Sequence, residues 1–183
     1  MKKLGDLLKL IYSDLIRLKK KDENLSFFKI SINFFNQRFL PVLIIRLARF
    51  FYEIQFLKPI SYILVWLNFF LFGIECTPKC KIGPGLFLPH CSGTVIGAQQ
   101  IGKNATIFQN VTLGAKNADM EFSINQRPTI GDNVMIGAGA KILGPISIAN
   151  GIKIGANAVV IESFNQENTI LVGIPAKQLG SKI

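Results

Sequence analysis

An aliphatic residue returns at every sixth position from Ile130 to Val160, through Ile136, Ile142, Ile148 and Ile154. Gly follows three of them, as Ile130-Gly131, Ile136-Gly137 and Ile154-Gly155. A period of six matches neither the 3.6-residue turn of an α-helix nor the alternation of an ordinary strand. It matches a solenoid whose triangular coils spend about six residues on each of three flat faces. One aliphatic per face then points into a narrow axial core, and the small residue behind it lets the chain turn. The phase runs back through Val95, Ile101, Ile107 and Leu113, and one residue out of register through Ile82 and Leu88. The pattern predicts a parallel β-helix from about residue 77 onward. Two stretches depart from it. Residues 115–128 are polar and off the period, an insertion projecting from one edge of a coil. The tail Val172-Gly173-Ile174-Pro175-Ala176-Lys177 leaves the repeat, with Pro175 expected to end regular pairing.

Ahead of the repeats the period changes. Leu4, Leu7, Leu8, Ile11, Leu15 and Leu18 fall at spacings of three and four, which predicts an amphipathic helix over 3–20. A second helix is expected over 40–56, with Pro41 in its first turn and Arg46 and Arg49 on its polar side. A third apolar segment runs from Ile60 to Phe72 behind Pro59. The chain therefore divides into an α-helical region, 1–72, and a mainly β solenoid domain, 73–183.

Composition separates the same two parts. Residues 1–80 carry 13 Lys/Arg against 6 Asp/Glu, and residues 81–183 carry 8 against 5, which together give the net charge of +10. Eleven of the 15 Phe, with Trp66, Tyr52 and Tyr62, fall between Phe27 and Phe72. Packing on the solenoid and on neighbouring subunits accounts for such a segment. So does contact with the inner face of the cytoplasmic membrane, where aromatic and basic residues suit an anionic interface. The apolar run after Lys58-Pro59 is shorter than the 18–20 residues or so of a spanning helix. Nucleic acid is a poor partner for this charge, because the basic residues sit among large apolar ones and no recognition motif accompanies them. Cys76, Cys80 and Cys91 form neither an even disulfide framework nor, with one His, a metal set. Met1–Leu10 lacks the order of a secretory signal, so a reduced, cytoplasmic setting is expected.

His90 is the only histidine. It stands where the six-residue register slips, and a slip pushes a side chain off the regular face much as a bulge re-aims one in a sheet. A neutral imidazole there suits a general base.

The stretches Phe72-Gly73-Ile74-Glu75, Pro89-His90 with Gly93 and Gly97, Gln109 to Gly114, Met135 to Gly144, and the Pro-Ala-Lys tail resemble the hexapeptide-repeat acyltransferases. Within them they are most similar to the serine O-acetyltransferase branch, which includes relatives that acetylate envelope polysaccharides. The resemblance covers about residues 72–179 and implies a left-handed parallel β-helix, acetyl-CoA as co-substrate, no metal, and a homotrimer with a CoA groove between subunits. It makes His90 the general base and aligns Glu75 with the aspartate that orients it, although Glu75 is equally accounted for as a surface carboxylate. Pro89 replaces a second aspartate. For CoA it points to Thr112, Gly114, Gly137, Ala138, Gly139 and Ala156, with Lys141, Lys153 and Lys177 as candidates for the phosphates.

Serine enzymes carry Arg-His-Pro where this chain has Gln126-Arg127-Pro128. Gln126 and Arg127 are therefore the candidate acceptor contacts, and a guanidinium there suits a carboxylate, including that of an acidic sugar. The expectation is an acetyl-CoA-dependent O-acetyltransferase acting on a cell-envelope or capsular saccharide. Serine O-acetyltransferase is the alternative, and a non-catalytic scaffold the third reading.

Overall fold

The computed structural model describes residues 2–18, 36–119 and 121–179. Among the described residues three α-helices precede the solenoid: α1 Lys2–Ile16, α2 Leu40–Tyr52 and α3 Lys58–Phe72. The first is shorter than its apolar spacing predicts; Arg17 and Leu18 form a turn, and 19–20 lie outside the described residues. Pro41 and Pro59 occupy the first turns of α2 and α3, where a missing N–H costs nothing. Gly73, at φ 65°, caps α3 in the left-handed conformation and turns the chain into the solenoid.

Among the described residues fourteen short strands then build a left-handed parallel β-helix with three faces. The first face stacks β1 Ile74–Cys76, β3 Thr94–Ile96, β6 Thr112–Gly114, β9 Lys141–Leu143 and β12 Val159–Val160. The second stacks β2 Lys81–Ile82, β4 Gln100–Ile101, β7 Thr129–Ile130 and β10 Ser147–Ile148. The third stacks β5 Thr106–Ile107, β8 Met135–Ile136, β11 Lys153–Ile154, β13 Ile170–Gly173 and β14 Ala176–Leu179. The last pair is antiparallel, with Val172 opposite Lys177. Pro175 therefore sits in the turn of a closing hairpin and does not end pairing, because the strand that follows it returns along β13.

Each face buries two positions where the six-residue pattern marked one. Behind the inward aliphatics runs a second column, Val134, Ala140, Ile146, Ile152 and Ala158, also buried and also six apart. These residues fill the corners, and their size steps between Ala and Ile as each corner requires. Left-handed corners are built by Asn or Gly: Asn104, Asn110, Asn133, Asn157 and Asn168 all have φ near 57–59°.

The register upstream needs one correction. Ile96, fully buried, and not Val95, continues the inward column, and it pairs with Cys76 and Leu113. The corner from Leu88 to Ile96 is thus longer than its counterparts and the next face is shorter. The helical region is fastened to the first coil by a buried ion pair between Arg46 Nε and Asp14 Oδ2, 2.8 Å apart. Arg46 also donates to the carbonyls of Ile82 and Gly83, each at 2.6 Å, and Asp14 accepts from Leu86 N–H. Arg46 is consequently not on the solvent side of its helix: four hydrogen bonds from one guanidinium, two to Asp14 and one each to the Ile82 and Gly83 carbonyls, serve as the bolt between helix and solenoid.

Candidate active site

The long corner between Leu88 and Ile96 holds Pro89, His90, Cys91 and Ser92, and its extra length carries His90 out to solvent. Gly93 N–H donates to the Gly73 carbonyl at 3.0 Å, which pins the corner beneath the end of α3. His90 opens on a pocket of about 530 Å³ whose walls include Ser92 and Gln109 from the solenoid and Leu71 and Phe72 from α3. Within the chain His90 makes no hydrogen bond among the described residues, so both ring nitrogens are free to meet substrate or a neighbouring subunit. Cys91 is half-buried in the same wall, and burial pushes its thiol up.

A ladder of corners leads away from this pocket. Asn110 N–H donates to Ser92 O at 3.0 Å, Gly139 N–H to Gln109 O at 2.9 Å, and Asn157 N–H to Ala138 O at 2.8 Å. One edge of the β-helix therefore runs continuously from His90 through Gln109 and Ala138-Gly139 to Ala156. Four of the residues expected to line CoA, Gly137, Ala138, Gly139 and Ala156, lie along it. Their small size has a structural reason as well: a Cβ on Gly137 would come 2.7 Å from Ala156 N, and one on Gly139 would strike the Asn157 side-chain oxygen. Gly114 is different. At the end of β6 it has no atom within 4 Å of where a Cβ would stand.

Glu75 projects from the solvent side of β1 opposite Val95 and does not line the pocket. Thr112 is half-exposed on β6. Lys141 Nζ is held by the Asn110 carbonyl, whereas Lys153 and Lys177 are exposed.

Gln126 and Arg127 stand in the insertion, which the structure places between β6 and β7, apart from the His90 pocket of the same chain. Gln126 is exposed. Arg127 is not a free cation: its Nη2 donates to Asp119 at 2.9 Å, its Nη1 to Gly97 O at 3.1 Å, and its guanidinium lies 3.8 Å from the Phe122 ring centroid. Its Nε is buried with no partner. Burial works to raise the Asp119 carboxyl, but hydrogen bonds from Arg127 and from Ser123 outweigh it and hold it below its ordinary value.

Gln109 carries a signal that periodicity does not reveal. Its Oε1 is buried without a hydrogen-bond partner at the wall of the pocket. An orphaned acceptor of this kind costs free energy unless a donor arrives to meet it. The residue stood within a family-like stretch, yet nothing in the sequence distinguished it from its neighbours.

Comparison with known proteins adds a family match, a curated relative and two solved structures. The family described as Bacterial transferase hexapeptide (six repeats) matches residues 127–162. A serine acetyltransferase of Staphylococcus epidermidis is 47% identical over 121 residues, 64% of this chain and 55% of that one. The chain thus spans little more than half the length of the curated relatives it matches. Among solved structures, Neisseria gonorrhoeae serine acetyltransferase in complex with serine superposes with a TM-score of 0.80 at 30% identity, covering 98% of this chain and 72% of that one. A serine acetyltransferase in complex with CoA gives 0.79 at 27% identity, covering 96% and 70%.

These findings overturn the expectation of an envelope saccharide as acceptor, since both the curated relatives and the liganded neighbours are serine acetyltransferases. The structure supplies a physical reason: the Arg127 guanidinium, read as available for an acidic sugar, is largely engaged by Asp119, Gly97 and Phe122.

Proposed function

The chain belongs to the hexapeptide-repeat transferases, in their serine O-acetyltransferase branch, and from that premise we propose that it transfers the acetyl group of acetyl-CoA to the hydroxyl of L-serine. The observation that carries this reading is the continuous edge joining the His90 pocket to the small residues at Ala138-Gly139 and Ala156. A thioester laid along that edge brings its carbonyl toward His90.

His90 accepts the proton of the serine hydroxyl as the oxygen attacks the thioester carbonyl. The tetrahedral intermediate collapses, the C–S bond breaks, and the imidazolium returns the proton to the departing thiolate. No acyl-enzyme forms. Gln109 Oε1, otherwise unpaired, accepts a hydrogen bond from the serine ammonium and so replaces part of what Pro89 cannot offer. Backbone groups at Gly137, Ala138, Gly139 and Ala156, with Thr112 and Gly114, receive the pantetheine arm, and Lys177 the phosphates.

Three copies complete the site. His90 and the insertion lie apart in one chain, so the exposed Gln126 meets the serine carboxylate from a neighbouring subunit of a trimer, with Arg127 holding the insertion in place. The reaction takes place in the cytoplasm, where both substrates are available.

The test is release of free CoA from acetyl-CoA by the purified protein with L-serine, against D-serine and L-alanine as controls. Serine-dependent release is the expected result; a rate with serine no higher than with alanine overturns the reading.

A further inference from the structure

The outward side of α3 and of the 3₁₀ turn before it, Gln55–Leu57, is an apolar stripe that none of the described residues covers. Phe56, Ile60, Ile63, Trp66 and Phe70 follow one another at spacings of four and three, on one side of a helix. Phe56 is 90% exposed, Ile63 62%, Trp66 65% and Phe70 71%. Tyr62 and Phe69 flank the stripe, also more than half exposed, and Trp66 stacks on Phe70 with ring centroids 5.6 Å apart. Monomeric soluble surfaces rarely carry so contiguous an apolar face.

The opposite side of the helix is already committed. Ser61 donates to Ala48 O at 2.7 Å and Asn68 to Pro41 O at 3.2 Å, so α3 is fastened to α2 along its length. The 3₁₀ turn and α3 together, Gln55–Phe72, make 18 residues of mean hydropathy 1.3 with 11% of them buried. That run reaches a spanning length, longer than the pattern after Pro59 suggests, but crossing a bilayer would carry the polar bonds to α2 into hydrocarbon. Lying on a surface would not.

We infer that this stripe docks the protein on an anionic lipid leaflet. Two features favour lipid over a second copy of the chain. The stripe is nearly devoid of hydrogen-bonding groups, with only the tips of Tyr62 and Trp66, whereas protein interfaces carry about one hydrogen bond per 100–200 Å². Aromatic rings with polar tips are what a membrane interface favours. The charge is complementary too: with Arg46 buried against Asp14 and Arg49 paired with Glu53, residues 36–72 leave Arg38 and Lys58 as surplus positive charge, within a chain of net charge +10. The inference does not depend on which hydroxyl is acetylated. It does bear on access to the site, because Leu71 and Phe72 at the end of the same helix line the His90 pocket.

Trp66 is the sole tryptophan and stands within the stripe, so its emission reports the docking directly. The experiment adds vesicles of phosphatidylglycerol and phosphatidylcholine, or phosphatidylcholine alone, to the full chain and follows Trp66 emission and flotation. Expected are a blue shift and flotation with the anionic vesicles, weakened at least fivefold on neutral ones or in high salt. Ile63→Glu is expected to abolish flotation while CoA release in the absence of vesicles and oligomer size remain those of the parent. Two outcomes overturn the inference: unshifted emission with no flotation, or emission already blue without lipid that turns red, with halved particle mass, in Ile63→Glu. The second would assign the stripe to a contact between copies.

Discussion

Gly139 N–H donates to the Gln109 carbonyl across 2.9 Å, and that rung joins the His90 pocket to the corner proposed for CoA. Two glycines on this path separate what the fold needs from what the ligand needs. Gly139 has φ +75° and its Cβ would meet the Asn157 side chain. Gly139→Ala is therefore expected to cost about 1–3 kcal/mol of stability through backbone strain alone. Gly114 has an ordinary φ and open space at its Cβ position. Gly114→Val is expected to leave the thermal midpoint unchanged and to raise KM for acetyl-CoA about tenfold or more by filling the approach. Thermal melts beside acetyl-CoA saturation curves distinguish the two.

His90→Ala is expected to lower kcat by roughly 10²–10⁴-fold, the range for loss of a general base, without changing the fold, because His90 is exposed and unbonded in the chain. Gln109→Leu is expected to act on binding instead. A hydrogen bond to an ionised donor contributes about 1.5–3 kcal/mol, so KM for serine should rise roughly 10- to 100-fold with kcat little altered. Gln109→Glu keeps an acceptor and should keep KM near that of the parent. If Gln109→Leu changes only stability, Gln109 is a packing residue.

The solenoid was legible in sequence because a one-dimensional fold writes itself as a period: every inward aliphatic from Ile130 to Val160 is buried. The long corner at His90 was legible only as a slip. Val95 and Ile96 are both aliphatic, so periodicity could not choose between them, and the buried column at Ile96 did. Arg46 reads as a surface cation in its helix; its carboxylate partner lies 32 residues away, and the carbonyls it binds lie farther. Arg127 reads as a free ligand for an acceptor, yet Asp119 and Phe122 in the same insertion claim it. Side chains satisfied across long sequence separations are what a period does not encode.

The Arg46–Asp14 pair is expected to act as the hinge pin of the helical region. Arg46→Met strands a buried carboxylate, and breaking a buried pair costs about 3–5 kcal/mol. Asp14→Leu combined with Arg46→Met removes both charges and should recover part of that loss, the remainder reflecting the carbonyls of Ile82 and Gly83 left unpaired. Urea unfolding of Arg46→Met, Asp14→Leu and the double variant gives the coupling directly.

The thiols rank by accessibility. Burial, assisted by the neighbouring Cys80, pushes Cys76 well above its ordinary value, and burial pushes Cys80 up to about 12. Cys91 is raised less and is partly exposed in the His90 pocket. N-ethylmaleimide should therefore label Cys91 first, slowly at pH 7 and faster as pH rises, since the thiolate is the nucleophile. Labelling should block activity by filling the pocket, and Cys91→Ala should resist it. Mass spectrometry showing Cys80 labelled first in the folded protein would contradict this order.

Asp119 holds the insertion closed, and the sign of its pH dependence follows from its depressed carboxyl. Its ionised form is favoured in the fold by Arg127 and Ser123, so its stabilising contribution is present above the ordinary carboxylate value and is lost as pH falls through the lower folded one. The insertion should remain docked at neutral pH and loosen only in acid, below about pH 3.9. Asp119→Asn should reproduce the loosened state at pH 7, because the neutral amide cannot pair with Arg127 and offers one acceptor where two now serve. Trypsin cleavage after Lys116, which is exposed within the insertion, should then accelerate while the melting of the β-helix stays unchanged. Under the proposed mechanism KM for serine rises in the same variant, since a loosened insertion no longer presents Gln126 at a fixed position. A variant that cleaves faster yet keeps its KM would separate the insertion's docking from serine binding and remove Gln126 from the site.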